Sequence, residues 1–174
     1  MAYCISNTLA GIATDCQSNL GGVKVVYIAN YADDIFTLDA SGNTVTGISS
    51  ASTWYQYNFR QESSNFTSTL NKAAEGSNYV STEIVLSFSR METSKRIELN
   101  ALALNEIAVV VVDNNGEYHC FGIDRPVSSS TGAGESGTAF GDANRYTITL
   151  LATDGKFAPM MTPEGKEALK AKVA

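Results

Sequence analysis

The stretch that decides the fold is AVVVVDNNGEYHCFGI, which spans residues 108–123. Its first part, Ala108 to Asp113, is apolar at successive positions, and this predicts a buried strand. Asn114-Asn115-Gly116 is a strong turn signal between two such runs. We therefore expect Glu117–Ile123 to form a second strand and to pair with the first in a β-hairpin.

The next segment is PVSSSTGAGESGTAFGDA, from Pro126 to Ala143. Its polar, glycine-rich composition offers too little apolar surface to fold alone. Loops of this length in compact domains are usually functional or disordered. We predict an extended loop that reaches a neighbouring subunit, and its candidate contact residues are Val127, Ser130, Thr131 and Phe140.

Further segments have the composition or alternation of β-strands. They are Val23–Tyr31, Ile35–Leu38, Val45–Ile48, Ser52–Gln61, Phe66–Leu70, Tyr79–Met91 and, after the loop, Asn144–Ala152. A turn near Glu75–Asn78 would join two of them into a long hairpin. Such a hairpin can project from a domain and pair with the sheet edge of another subunit.

One internal helix is predicted between Glu92 and Glu106, with Thr93 or Ser94 as its N-cap. After Pro163, the basic tail EGKEALKAKVA is either a helix that packs on a neighbour or a frayed end. The fold class is mainly β, a β-sandwich or small barrel with one packed helix. Residues 1–174 are expected to form a single domain with an N-terminal arm (1–22), the loop (126–143) and the tail (162–174).

The charge balance bears on possible partners. The chain has 12 Lys and Arg, 18 Asp and Glu, and a net charge of −6. Because a surface that grips nucleic-acid phosphates needs clustered cations, this composition argues against one. The start MAYCISNTLAG has neither the basic region of a signal peptide nor a membrane span. Three cysteines, an odd number, favour free thiols and synthesis in a reducing cytoplasm.

Catalytic and metal sites are weakly supported. Gly134-Glu135-Ser136-Gly137 resembles the nucleophile turn of chymotrypsin-like proteases, but His119 lies in the adjacent strand, where that family does not place its histidine. Zinc would need Cys4, Cys16, Cys120 and His119 to converge without the usual short spacing. Asp33, Asp34 and Asp39 lack the ladder of a calcium loop. We predict no catalytic residue, no cofactor and no metal.

The aromatic run Trp54, Tyr55 and Tyr57 supports an alternative function. These rings could stack on sugars or bases, although neighbours in a strand face opposite ways, so at least one belongs to the core. Together with the Gly/Ser-rich loop, they would suit a monomeric β-sandwich binding module for carbohydrate or protein.

The C-terminal half resembles the tail-tube and ring-forming virion proteins of tailed bacteriophages. The resemblance lies in the order VVVVDNNGEYHCFGI, SSSTGAGESGTAFGD and ANRYTITL, and it covers roughly Trp54 to Leu151. It implies a β-sandwich whose copies close into a ring, commonly six-fold. Rings would stack around a DNA channel, and loops would reach the next subunit or ring.

In such a ring, a long hairpin from each copy lines the inner barrel. The candidate lumen residues are Asn58, Thr67, Thr69, Ser81 and Glu83, whereas Arg60 and Arg90 would need partners there. The implied partners are copies of the chain, other tail proteins and genomic DNA that passes without specific binding, with no membrane. The implied location is the virion tail, after synthesis in the host cytoplasm.

Overall fold

The computed structural model describes residues 11–13, 19–60 and 62–174, which fold into two β-sheets and two helices. The elements are β1 (Val23–Asn30), β2 (Phe36–Leu38), β3 (Thr44–Ile48), β4 (Tyr55–Asn58), β5 (Asn65–Lys72), β6 (Asn78–Ser89), α1 (Thr93–Leu104), β7 (Ile107–Asp113), β8 (Tyr118–Phe121), β9 (Ser128–Glu135), β10 (Arg145–Asp154), β11 (Met160–Met161) and α2 (Pro163–Lys170). Most of the predicted N-terminal arm, with Cys4 and Cys16, lies outside the described residues.

The larger sheet has seven strands in the order β2-β3-β11-β8-β7-β1-β4. The predicted hairpin of β7 and β8 is confirmed, with Val110 opposite Cys120. On its other side, β7 pairs antiparallel with β1, where Val110 lies opposite Tyr27. The apolar run of β7 therefore forms an interior strand of this sheet.

The smaller sheet has four antiparallel strands in the order β5-β6-β10-β9. The predicted long hairpin is confirmed as β5 and β6, in which Thr67 lies opposite Glu83 and Thr69 opposite Ser81. β6 then pairs with β10 along ten residue positions. β5 and β9 form the two edges of this sheet.

The two sheets pack face to face, as expected for the predicted β-sandwich. Their shared core includes Val26, Val109 and Phe121 from the larger sheet and Ile84, Leu86, Ile148 and Leu150 from the smaller one. Each of these side chains is nearly or completely inaccessible to solvent. Full burial of such a side chain contributes about 1.5–3 kcal/mol, so this interface is a main source of stability.

The opposite face of the seven-stranded sheet is covered by the chain after residue 160. Leu169 of α2 packs in a second core with Trp54, Val45 and Val110. Thr162 caps α2, because its Oγ1 accepts a hydrogen bond from the Gly165 N–H at 3.3 Å. The sheet is thus buried on both faces, which is why β7 is apolar at successive positions.

The tail therefore differs from both readings of the sequence. It forms a second packed helix, α2, which lies on β3 of its own chain. The approach is close at Gly165, where an added Cβ would lie 2.9 Å from the Val45 carbonyl oxygen. Neither helix among the described residues is long and apolar enough to cross a bilayer.

Helix α1 is confirmed, but the predicted N-cap is wrong. The capping position is Glu92, whose side chain makes no capping hydrogen bond. Its carboxylate instead contacts Arg90 at 3.1 Å and Lys95 at 3.6 Å. The helix starts at Thr93 itself, so neither Thr93 nor Ser94 occupies the extended position that a cap requires.

Nearly half of the predicted loop over Pro126–Ala143 is a strand. Residues Ser128–Glu135 form β9 and pair with β10, so only the segment between Glu135 and Arg145 remains a connection. Backbone pairing does not require apolar side chains, and the free edge of β10 supplies the partner. Val127 makes a bridge with Ile107 and is completely buried, which removes it from the candidate contact residues.

The strand predicted over Ser52–Gln61 is also shorter than expected. Only Tyr55–Asn58 form β4, which pairs with β1 at the edge of the larger sheet. Asn58 therefore does not belong to the hairpin of β5 and β6, and its assignment to a common lumen face with Thr67 is wrong. Trp54, just before β4, makes a bridge with Val173.

Candidate functional site

The four-stranded sheet has one face in the core and one face turned away from it. We call the second the outer face. It comprises Thr67 and Thr69 on β5, Ser81, Glu83 and Val85 on β6, Thr147, Thr149 and Leu151 on β10, and Thr131 and Ala133 on β9. These residues alternate with the core positions of the same strands, as the twofold period of a strand requires.

Hydroxyl side chains dominate this outer face. Its charged member is Glu83, which lies between Thr67 on β5 and Leu151 on β10. At the end of the sheet, Arg145 on β10 contacts Glu135 on β9 at 3.1 Å, which neutralises that cation. The face is consequently wet, nearly uncharged and without aromatic anchors over its centre.

Arg90 does not place an unpaired charge on this face. It follows the end of β6 with a positive φ of 66° and pairs with Glu92 at 3.1 Å. Arg60 follows β4 and is also outside the hairpin. Both arginines therefore lie beyond the strands of the hairpin, but Arg60 lines a pocket with Ser87, Ser89 and Arg145 and adds a cation at that end of the outer face.

The edges of the four-stranded sheet are the second feature of the site. Within the described part of the chain, β5 pairs only with β6, and β9 pairs only with β10. Both edge strands have eight residues, so each is about 26 Å long. An unpaired strand edge presents a row of backbone donors and acceptors that another strand can satisfy.

The edge strand β9 has one irregularity. Thr131 lies opposite Thr149, whereas Ser129 lies opposite Leu150, so Ser130 is the extra residue of a β-bulge. Bulges twist an edge and limit indiscriminate pairing. The predicted contact residue Ser130 is thus the unpaired residue of the bulge, whereas Thr131 lies on the outer face.

A groove of about 370 Å³ runs between β9 and α1. Its floor is low because Gly132 and Gly134 face it, and the ring of Tyr146 covers Gly134, where an added Cβ would lie 3.0 Å from the ring. Arg96 and Asn100 line it from α1. An aromatic ring that packs over a strand glycine stabilises the local strand pairing. The contact between Tyr146 and Gly134 therefore helps to hold β9 against β10.

The candidate catalytic residues are not brought together. His119 lies on β8 in the larger sheet, and its Nε2 is 3.3 Å from Asp113 Oδ2. Burial tends to raise the pKa of Asp113, but hydrogen bonds from the Glu117 N–H and from His119 outweigh it and lower the pKa. Ser136 follows β9 in the other sheet, where its hydroxyl donates to the Gly137 carbonyl.

Metal ligation has equally little support in the described ranges. They contain no group of three or more His, Cys, Asp or Glu that could hold an ion. Cys120 is fully buried, and burial raises the pKa of its thiol. Asp39 organises the turn between β2 and β3, since its carboxylate accepts from the N–H groups of Asn43 and Thr44. Cys4 and Cys16 lie outside these ranges.

The aromatic run splits between core and surface. Trp54 is completely buried, and its Nε1–H donates to Ser52 Oγ at 2.9 Å. Tyr57 hydrogen-bonds Glu98, and its pKa is raised by burial and by that carboxylate. Tyr55 is half exposed. One ring of the three remains free, which is too few for a stacking platform.

Asp154 is a partly buried acid that sequence reasoning did not identify as unusual. This residue ends β10, and its Oδ1 is buried without a hydrogen-bond partner. Burial and the nearby Asp124 carboxylate raise its pKa to about 6, while Arg125 acts in the opposite direction. An aspartate that closes a strand is an ordinary turn signal, so only the three-dimensional packing distinguishes this one.

In comparisons with protein-family models, with curated proteins and with solved structures, nothing matches this chain. The outer face and the two edges of the four-stranded sheet are therefore the features that bear on function.

Proposed function

We propose that this chain is a structural subunit of a bacteriophage tail tube, which assembles into stacked rings around a DNA channel. The observation that carries the proposal is that the two edge strands of the four-stranded sheet are antiparallel to each other. β5 and β9 have the same length and run in opposite directions.

Cyclic symmetry keeps every copy in the same orientation along the ring axis. The β9 edge of one copy would then meet the β5 edge of the next in antiparallel fashion, which continues the existing antiparallel sheet. Closure of the ring would satisfy the backbone groups that each copy leaves open, and it would remove the exposed edges altogether. The resemblance of the sequence implies a six-fold ring.

The outer face of each copy would line the channel. Its threonine and serine hydroxyls keep the wall hydrated, and Glu83 adds a negative charge to each copy. Phosphate groups bind to clustered cations, which this face lacks over its centre. DNA would accordingly pass along the wall without adhering, and other tail proteins would contact the ends of the tube.

Electron microscopy and sedimentation velocity of the purified chain test this proposal. We expect rings or tubes whose abundance rises with protein concentration. A single monomeric species at high concentration, with no rings, would contradict the proposal.

The alternative, a monomeric β-sandwich binding module, stays a prediction. Its leading residue, Trp54, lies in the core, so no observation of the described surface favours it. Glycan binding by a strictly monomeric protein would support this alternative.

A further inference from the structure

The connection between β9 and β10 is a tightly organised turn. The Asp142 carboxylate accepts hydrogen bonds from the N–H groups of Thr138 at 2.8 Å and Ala139 at 2.7 Å. The Asp142 N–H donates to the Ala139 carbonyl at 3.0 Å. Gly137 has a φ of +70°, and an added Cβ would lie 2.5 Å from Asp142 Cβ. This turn therefore depends on both Gly137 and Asp142.

Phe140 lies at the tip of this turn and is fully exposed. A phenylalanine that packs against nothing in its own chain gains no stability from burial. Held by a preorganised turn, however, it loses little conformational freedom when it enters a partner. Rigid aromatic side chains of this kind are common anchors of protein interfaces.

The opposite end of the same sheet carries a complementary feature. Leu70 on β5 is 52% exposed, and Lys72 lies two residues further on the same side of the strand. No salt bridge of the described residues involves Lys72. Phe140 and Asp142 are likewise two positions apart in sequence, so each end of the sheet carries one exposed apolar residue near a charged one, and the two charges are opposite. The hydrogen bonds to Asp142 lower its pKa, so this carboxylate is ionised at neutral pH.

These two features cannot meet within one chain. The turn with Phe140 joins β9 to β10 next to the pair Glu135–Arg145, whereas Leu70 lies near the pair Lys72–Asn78 at the other end of the sheet. An eight-residue strand separates the ends by about 26 Å. A contact between them would therefore join two copies.

We infer that Phe140 of one copy packs against Leu70 of a second copy in the same orientation, with Asp142 beside Lys72. The contact is heterologous and does not close on itself, so it joins copies end to end along one axis. This inference rests on the proposed function in one respect: the direction in which copies join end to end would be the axis of the tube. The contact between Phe140 and Leu70 would then be the one through which each ring stacks on the next.

Chemical crosslinking tests the contact without altering its members. Ala139→Cys and Ala73→Cys place thiols beside the two features in a background of Cys4→Ser and Cys16→Ser, and the remaining Cys120 is buried. With a short bis-maleimide, we expect a ladder of covalent oligomers. The matched pair Ala139→Cys and Ala40→Cys, which has the second thiol on the other sheet, should give no ladder. An equal ladder from both pairs would overturn the inference.

Truncation of the Phe140 side chain gives a second test of the contact. We expect Phe140→Ala to weaken the end-to-end contact roughly 30-fold, which corresponds to about 2 kcal/mol. Lys72→Glu should also reduce the ladder, because it places a second carboxylate beside Asp142. Tyr55→Ala removes a half-exposed aromatic ring on β4 of the other sheet and should leave the ladder unchanged. An unchanged ladder in Phe140→Ala would refute the contact.

The failures of the two proposals can be told apart by microscopy. If Phe140→Ala gives single rings where the unmodified chain gives tubes, both proposals are supported. If tubes form equally well with Phe140→Ala, the stacking contact is wrong and the ring proposal stands. If the unmodified chain gives no rings but the ladder is present, the ring proposal is wrong and the end-to-end contact stands.

Discussion

Trp54 connects three parts of the chain. Its ring is completely buried among residues of the second core, and its Nε1–H is bound by Ser52 Oγ at 2.9 Å. Its backbone N–H donates to the Lys172 carbonyl, and its carbonyl accepts from Ala174. The residue therefore ties the segment before β4 to the segment after α2.

Replacement of Trp54 by alanine should lower the free energy of unfolding by about 3–5 kcal/mol, because it leaves a large cavity in this core. Denaturant titration of the monomeric protein measures the loss. Tyr55→Ala, next in sequence but half exposed, serves as the control and should cost under about 1 kcal/mol. Similar losses in both variants would contradict the assignment of Trp54 to the core.

Asp154 makes stability depend on pH. Its pKa in the folded state is about 6, above the ordinary value of 3.8, so the folded state binds more protons than the unfolded state between these values. The contribution of this group to stability therefore falls as the pH rises from about 4 to about 6, and it stays low above pH 6.

Asp154→Asn should remove this dependence. Allowing for the partial exposure of the group, we expect the variant to be more stable than the unmodified chain by about 1–2 kcal/mol at pH 7, and the difference to disappear near pH 4. Unfolding measured across this range tests it, with Glu75→Gln in an exposed turn as the control. A difference between the chains that stays constant with pH would exclude Asp154 as the titrating group.

At the scale of elements, α2 completes the second core. Leu169 is completely buried against the face of the seven-stranded sheet, and α2 packs mainly on β3. Without this helix, the second apolar face of β7 and β1 would be open to solvent.

Leu169→Ala should therefore destabilise the chain by about 2–5 kcal/mol, the usual cost of such a truncation in a packed core. Leu104→Ala is a matched control at the end of α1, since Leu104 is 87% exposed. We expect the control to change the thermal midpoint little. If both variants unfold at the same temperature, α2 does not pack on the sheet as described.

Sequence reasoning located most elements of this fold but not all of their partners. Continuous apolar runs and alternation are local signals, and they predicted β1, β6, β7 and β10 well. β9 has no such signal in its own residues, and its strand conformation depends on pairing with the free edge of β10, the next strand. Likewise, the composition of the tail could not reveal which surface it packs on.

The same limit applies to the candidate site. Alternation correctly grouped Thr67, Thr69, Ser81 and Glu83 on one face of the hairpin. It failed for Asn58, because a strand's own pattern does not determine which sheet it joins. Phe140 was identifiable by composition alone, whereas its supporting Asp142 required the turn geometry.

At the scale of the whole molecule, the proposed assembly through β5 and β9 should respond to charge on the outer face. Thr69 lies on β5 and Thr131 on β9, and both are exposed. Thr69→Lys combined with Thr131→Lys would add a positive charge to the same face of both edges that meet at every proposed junction between copies. Opposed like charges destabilise paired strands by about 0.2–1 kcal/mol each, an effect that a ring repeats at each junction.

We therefore expect the double lysine variant to need a higher protein concentration to form rings, as measured by sedimentation velocity. Thr69→Lys with Thr131→Glu should restore assembly. Asn43→Lys with Thr46→Lys adds the same charge to β3 of the other sheet and to the turn before it, and should assemble normally. Normal assembly of the double lysine variant would count against these edges as the junction.

The pairing of β6 with β10 has a consequence for biosynthesis. The two strands are roughly 60 residues apart along the chain, with α1, β7, β8 and β9 between them. During translation at about 5–20 residues per second, β6 must wait several seconds for its central partner. Crowded polysomes would bring many such incomplete sheets together, so slow elongation should favour misassembly on the ribosome, and chaperones that bind nascent chains should influence the yield.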